Sequence, residues 1–473
     1  MRLPLLSSFH WTEAQPDGAL SGALGALLWI LPVAAAIISM RPTAAQAETS
    51  AAGRAFPFPV QEKTLANGLK VYVVGYDSPG LVAYYSVVRT GSRNEVEPGK
   101  SGFAHFFEHM MFRGTEKYGQ DAYNAVIKEM GADSNAFTSD DLTVYHILAG
   151  KTALPRIVEI EADRFQHLQY KEADFQKEAR AVLGEYNKNA SNPIEKMVET
   201  LYDHAFTSHT YKHTTMGFLK DIEDMPNQFA YSRQFFDRYY RPDNVTLLVV
   251  GDVDADTAFG LVEKEYGAWK RGPARPTVPA EPPQSKGKHA DLTWNGPTLP
   301  MLIEGYHVPG FSTTNVDLPA LDVLSELLFA ERAPLFKKLV ITEQKVESLS
   351  GSAEPHVDPN LFAVLARIKK PDDIGYVEKA IDDEIARIAR EGVDDRTLAE
   401  VLSHVKYAFA GQLSTADKTA TTAAQFIALT GTLSSINDYF ALYDKVTSAD
   451  VKRVAKSYFT PANRTAVSLK AGK

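Results

Sequence analysis

The chain of 473 residues contains no cysteine. Disulfides, thiolate metal sites and a cysteine nucleophile are thereby excluded, and any metal site has to be built from His, Asp or Glu. Runs of Lys and Arg interleaved with aromatics are missing too, and 59 acidic against 50 basic residues leave a formal charge of -9. Nucleic acid is not an expected partner on that balance. A mild acidic excess would favour basic or neutral peptides if it shaped a binding surface, although dispersed surface charge commonly serves solubility alone. What is present, 44% hydrophobic and 23% charged residues, is the composition of a globular chain long enough for two or more domains.

Charge is also missing locally. The stretch Gly18 to Met40 carries none, contains the apolar run Leu24 to Ile38, and leads into Ala45-Gln46-Ala47 before Glu48. Residues 1–47 therefore read as a secretory signal with an A-x-A cleavage site, which makes a periplasmic or secreted location the expectation. The same stretch is long enough to span a bilayer, so an uncleaved membrane anchor is the alternative.

After this leader, Leu69 to Val74 and Leu81 to Val88 are rich in β-branched and aromatic residues, with Asp77, Ser78, Pro79 and Gly80 between them. They read as neighbouring strands joined by a turn. Helices are expected at about 102–112 and 120–130, with Gly131 as a stop, and at 154–189; Leu142 to Leu148 and Val245 to Val250 read as strands. Residues 271–290, dense in Pro, Gly and charge, read as a linker. Beyond it come a strand at 301–306, a helix at 317–329, a strand at 361–368 and helices to the end. The class is α+β, and the second half reads as a repeat of the first in element type and size, with internal identity too faint to prove duplication.

The segment Gly102-Phe103-Ala104-His105-Phe106-Phe107-Glu108-His109-Met110-Met111 holds H-x-x-E-H inside a predicted helix. Four residues turn a helix by about 400°, so His105 and His109 share a face, as two imidazoles converging on one ion require. Glu108 lies beside them, near enough to accept a proton from an attacking water. Two histidines satisfied by core hydrogen bonds would show the same spacing. Downstream, Glu178 and Glu185 stand seven residues apart, hence on one face of a second predicted helix.

These residues resemble the zinc metallopeptidases of family M16, the pitrilysin, insulinase and mitochondrial processing peptidase family. The likeness runs through Phe112-Arg113-Gly114-Thr115, through Asn135-Ala136-Phe137-Thr138-Ser139-Asp140-Asp141, and through Tyr240-Arg241-Pro242-Asp243-Asn244 followed by Gly251-Asp252. The resemblance implies two similar α/β-sandwich domains, residues 55–270 and 291–473, each a mixed, mostly antiparallel sheet packed with helices. It implies one Zn2+ per chain held by His105, His109 and Glu185, with Glu108 as the base and Glu178 orienting a ligand or holding water. Asn135, Ala136 and Phe137 would lie on an edge strand that pairs with the substrate backbone. Two imidazoles and a carboxylate bind several divalent metals, so zinc rests on the resemblance.

The pattern departs in one place. Where the family uses an Arg and then a Tyr to hold substrate carbonyls, the stretch 335–348 carries Val340 and Glu347. A second subunit of the same family, in a heterodimer, is expected to supply the missing pair; a homodimer or a larger assembly is the alternative. Of the activities the resemblance implies, hydrolysis of unfolded peptides or oligopeptides leads, a dedicated processing peptidase shares its chemistry, and a noncatalytic scaffolding subunit would be expected to lack the ligands. His204, His209 and His213 form a second histidine cluster interrupted by Thr207, Ser208 and Thr210, and read as loop or surface residues.

Overall fold

The computed structural model describes residues 54–472. The expected leader at 1–47 lies outside the described residues; among them, no helix is long and apolar enough to cross a membrane.

Among the described residues, eleven strands form two sheets. They are β1 Val60–Thr64, β2 Lys70–Gly75, β3 Leu81–Val88, β4 Asp133–Thr138, β5 Thr143–Gly150, β6 Val245–Gly251, β7 Lys288–Trp294, β8 Met301–Val308, β9 Val346–Ala353, β10 Asn360–Ile368 and β11 Arg464–Ala471. The first sheet runs β1-β2-β6-β3-β5-β4 and the second β7-β11-β8-β10-β9. Apart from β1, the two orders are the same path. In each half the first strand pairs parallel with the last, the last pairs antiparallel with the second, and an antiparallel pair completes the sheet. The repeat that faint internal identity left unproved is thus visible as shared topology.

Two expectations are corrected. β2 and β3 are adjacent in sequence but not in space, because β6 lies between them. The last element among the described residues is also a strand, β11, where helices were expected. Both errors concern strands paired across most of a domain, a non-local choice that local periodicity does not carry.

The burial of β3 explains how the halves are joined. Val82, Tyr84 and Val88 face a core built with the helices Phe103–Met110, Leu154–His167 and Glu172–Asn189 of the first half. Ala83, Tyr85 and Val87 face the opposite way, into a core shared with Ala420, Ala424 and Ile427 of the second-half helix Ala416–Thr430. The arrangement is reciprocal. Met301, Ile303, Val467 and Leu469 of the second sheet pack on Met197, Leu201 and Ala205 of the first-half helix Pro193–Ala205. Each sheet is therefore covered on one face by its own helices and on the other by a helix of the other half, which accounts for strands buried on both faces.

Polar groups close the seam. Asp358 of the second half accepts from Arg93 Nε at 2.6 Å and faces His209 Nε2 at 2.9 Å, both from the first half. The hydrogen bond from His209, and after it the Arg93 guanidinium, hold the Asp358 carboxyl down to about 2 despite its partial burial. Against roughly 3.9 in an unfolded chain, a lowered carboxyl stabilises the fold fully above about pH 4 and loses that contribution as pH falls towards 2. Asp358→Asn is expected to flatten the acid-side fall of the urea midpoint between about pH 5 and 3 relative to the wild type.

Candidate metal centre

The helix Phe103–Met110 is buried nearly all round. Phe103, Phe106, Phe107 and Met110 sit in the first-half core, with the Phe107 ring stacked 5.5 Å from that of Phe235. Its start is fixed by two devices. Gly102 takes φ 90°, and a Cβ there would lie 2.3 Å from Ile222 Cδ1, so only glycine fits. Glu95 then caps the helix: its carboxylate accepts from Gly102 N and Ala104 N, each at 2.7 Å. Burial pushes the Glu95 carboxyl up, while those backbone bonds oppose the shift. Sequence reasoning missed Glu95, since a lone glutamate eight residues before a helix carries no periodic signal. Glu95→Ala leaves two buried N–H groups without an acceptor and is expected to lower stability by about 2 kcal/mol or more in urea unfolding.

The helix Glu172–Asn189 lies against this one, burying Phe175, Ala179, Val182 and Tyr186. Seven residues return a helix to within about 20° of its starting face, so Glu178 and Glu185 both project towards the histidines. Glu185 Oε2 lies 3.7 Å from His105 Nε2 and 3.4 Å from His109 Nε2. Among the described residues, His105, His109 and Glu185 are the one group of three histidine or acid side chains whose donor atoms all lie within 4.8 Å of one another. Glu178 stands behind them. Its Oε1 is 2.9 Å from His109 Nδ1 and its Oε2 accepts from Arg113. A proton on Nδ1 directed at Glu178 leaves the lone pair of the neutral ring on Nε2, on the side of Glu185, free to ligate a metal.

The donor set fits a metal ion. His105 is 3% exposed, yet neither of its ring nitrogens has a hydrogen-bond partner within the protein. A buried imidazole left in that state is costly unless another group uses its lone pair. Burial, and then the neighbouring His109, lower His105 to about 4, so it is the neutral imidazole that ligation requires. At His109 burial works downward, but hydrogen bonds to Glu178 and Glu185 outweigh it and raise the group to about 10. The pocket thus favours positive charge between these side chains. Nitrogen and carboxylate donors, three in number, are the set that suits zinc with one position left open.

Glu108 occupies the remaining side. It is 7% exposed, and its Oε2 accepts from Thr138 Oγ1 at 2.7 Å. Burial raises its carboxyl to about 7, with Thr138 and His109 holding it down. Thr138 is the last residue of β4, so the base is tied to that strand. Thr138 falls within the stretch Asn135 to Asp141 that carries the family resemblance, but nothing in its spacing from Glu108 signals the contact.

Asn135, Ala136 and Phe137 lie on β4, which pairs with β5 on one side and, among the described residues, has no strand on the other. Asn135 Oδ1 accepts from Ala136 N at 2.9 Å. An incoming strand that used this N–H would have to displace that side chain. Phe137 turns its ring towards His146 and the shared core.

The second histidine cluster is not a surface feature. His209 and His213 are 2% and 5% exposed. His209 accepts from Tyr211 N and joins the seam at Asp358, whereas His213 packs beside Glu95; only His204 is exposed. Their burial comes from packing against distant segments, which interrupted helical spacing does not reveal. At the departure noted above, Val340 lies in a π-helical turn, Lys337–Thr342, and Glu347 lies exposed on β9, paired with Arg367 at 3.2 Å.

Comparison with known proteins gives concordant results. The model of the insulinase family, peptidase family M16, matches residues 80–218, and that of the peptidase M16 inactive domain matches residues 230–404. The zinc protease PqqE of Helicobacter pylori is 28% identical over 413 residues, which is 86% of this chain and 92% of that protein. The human mitochondrial-processing peptidase subunit beta is 32% identical over 180 residues, 38% of this chain and 36% of that protein. Among solved structures, a protease from Helicobacter pylori superposes with a TM-score of 0.81 at 28% identity, covering 87% of this chain and all of that one.

Proposed function

The chain belongs to peptidase family M16, the insulinase family of zinc proteases, and on that premise we propose that it is a zinc-dependent endopeptidase acting on unfolded peptides or oligopeptides. The observation that carries the reading is the convergence of His105, His109 and Glu185 around one point with Glu108 beside it. Zinc held there supplies a Lewis acid that polarises a peptide carbonyl and makes water easier to deprotonate. Glu108 takes the proton of the attacking water and returns it to the leaving amine, work suited to a carboxyl that burial has brought to about 7. Thr138 fixes the orientation of that carboxylate, and Glu178 fixes the ring of His109. β4 offers its open edge to an extended backbone, which favours chains without fixed structure.

A noncatalytic scaffolding role is disfavoured by the intact donor set and the orphaned nitrogens of His105. A processing peptidase for one precursor would share every residue named here and differ only in substrate range. The leader supports export, with the mature chain starting near Glu48. Val340 and Glu347 offer neither a cation nor a phenol at the place where the family's clamp is expected, so a second M16 subunit supplies that Arg and Tyr. The test is hydrolysis of an unfolded polypeptide by the chain lacking residues 1–47, alone and with its candidate sister subunit. Zinc-dependent cleavage that rises on adding the sister supports both parts. Equal rates with and without it would remove the heterodimer, and no cleavage in either case would remove the peptidase.

A further inference from the structure

We infer that the second half of the chain positions the base, by clasping the turn that ends β4. This rests on the reading of Glu108 given above and adds His356 and Asp141 as positioning residues. β4 ends at Thr138, whose hydroxyl holds Glu108. The next four residues form a tight turn into β5, closed by Ser139 N donating to Leu142 O at 2.8 Å. Asp141 within that turn is 6% exposed and is the acceptor for both halves. Its Oδ1 takes Tyr211 Oη at 2.7 Å, from the first half. Its Oδ2 takes His356 Nδ1 at 3.0 Å and Val357 N at 3.1 Å, from the second-half connection between β9 and β10.

The rest of the turn is held as closely. Ser92 Oγ donates to Asp140 Oδ1 at 2.9 Å, and Arg93 N donates to Asp140 O at 2.9 Å. A Cβ on Gly91 would lie 2.1 Å from Ser139 O, so glycine is what lets the turn close over it. His356 is itself anchored, its carbonyl accepting from Phe311 N at 2.7 Å. Beside the clasp lies a cavity of about 80 Å3 bordered by Ser139, Leu142, His356 and Phe426. With His356 shortened, the turn gains room to move into that space. Thr138 lies three residues from Asp141 along a stiff hydrogen-bonded turn, so such a shift would carry Thr138, and with it the Glu108 carboxylate, away from its present place. A displacement on the order of 1 Å in a catalytic group lowers turnover by about a hundredfold in other enzymes.

The experiment compares the wild type with His356→Ala and His356→Asn, in the full chain lacking only residues 1–47. An asparagine amide can occupy the place of Nδ1 and donate to Asp141; alanine cannot. Three quantities are read: bound zinc, amide hydrogen exchange across residues 133–142, and kcat and KM for peptide hydrolysis. The expected result for His356→Ala is wild-type zinc content, exchange across 133–142 faster by tenfold or more, and kcat lowered about ten- to a hundredfold, with His356→Asn restoring most of both. Unchanged exchange in His356→Ala, or asparagine behaving like alanine, would overturn the inference. Hydrogen exchange decides the clasp even where the wild type shows no hydrolysis with or without its candidate sister subunit, an outcome that would remove the peptidase reading instead.

Discussion

Glu108→Gln is expected to lower peptide hydrolysis by about a thousandfold while leaving zinc content unchanged. The substitution is isosteric, and Glu108 is not one of the three converging donors. Its amide oxygen can still accept from Thr138 Oγ1, so the link to β4 survives. What disappears is the ability to take a proton. Stability should not fall with activity: burial raises the Glu108 carboxyl to about 7, which means the charged form is disfavoured where it stands. A neutral amide removes that penalty, and above pH 7 the variant should melt at the same temperature as the wild type or slightly higher. Zinc analysis, a quenched-peptide assay and a thermal melt on the same preparation check all three statements. Hydrolysis within a few-fold of wild type would show that another group serves as the base.

His105→Ala is expected to abolish both zinc retention and hydrolysis. Structural zinc sites are worth roughly 10–16 kcal/mol in apparent binding energy across four ligands. Losing one of three protein donors should therefore weaken affinity by about two to three orders of magnitude, against about 10–100-fold for Glu178→Gln, which disturbs only the orientation of His109. The metal-free fold should tolerate the change. Neither ring nitrogen of His105 has a hydrogen-bond partner in the protein, so alanine removes two buried polar atoms without hydrogen bonds along with the packing volume. Added zinc is expected to raise the thermal midpoint of the wild type and to leave that of His105→Ala where it was. An equal zinc-induced rise in both would place the metal elsewhere.

The parts of this site legible in the sequence are those set by local geometry. His105, Glu108 and His109 lie within one helix, and Glu178 and Glu185 within another, so helical periodicity alone puts each set on one face. β4 was named as an edge strand through family resemblance, and it is one. The parts that were not legible depend on contacts between distant residues. β6 inserts between β2 and β3 from more than 150 residues away, and β11 closes the second sheet from the far end of its half. Glu95 reaches a helix start, Thr138 a base on another element, and His356 an aspartate 215 residues earlier. None of these pairs has a spacing that periodicity can detect. His209 and His213 do lie in a loop, one of the two readings their interrupted spacing allowed, but their burial is created by segments far along the chain and leaves no local signal.

The most direct test of the account is a zinc titration. The chain lacking residues 1–47 is stripped with a chelator, then hydrolysis of an unfolded polypeptide is followed as zinc is restored, with the proposed sister subunit present. The account predicts no activity at the start, a linear rise to one equivalent of zinc per chain, and a plateau beyond it. Activity that survives chelation, or a chain that binds no zinc at one equivalent, would contradict it.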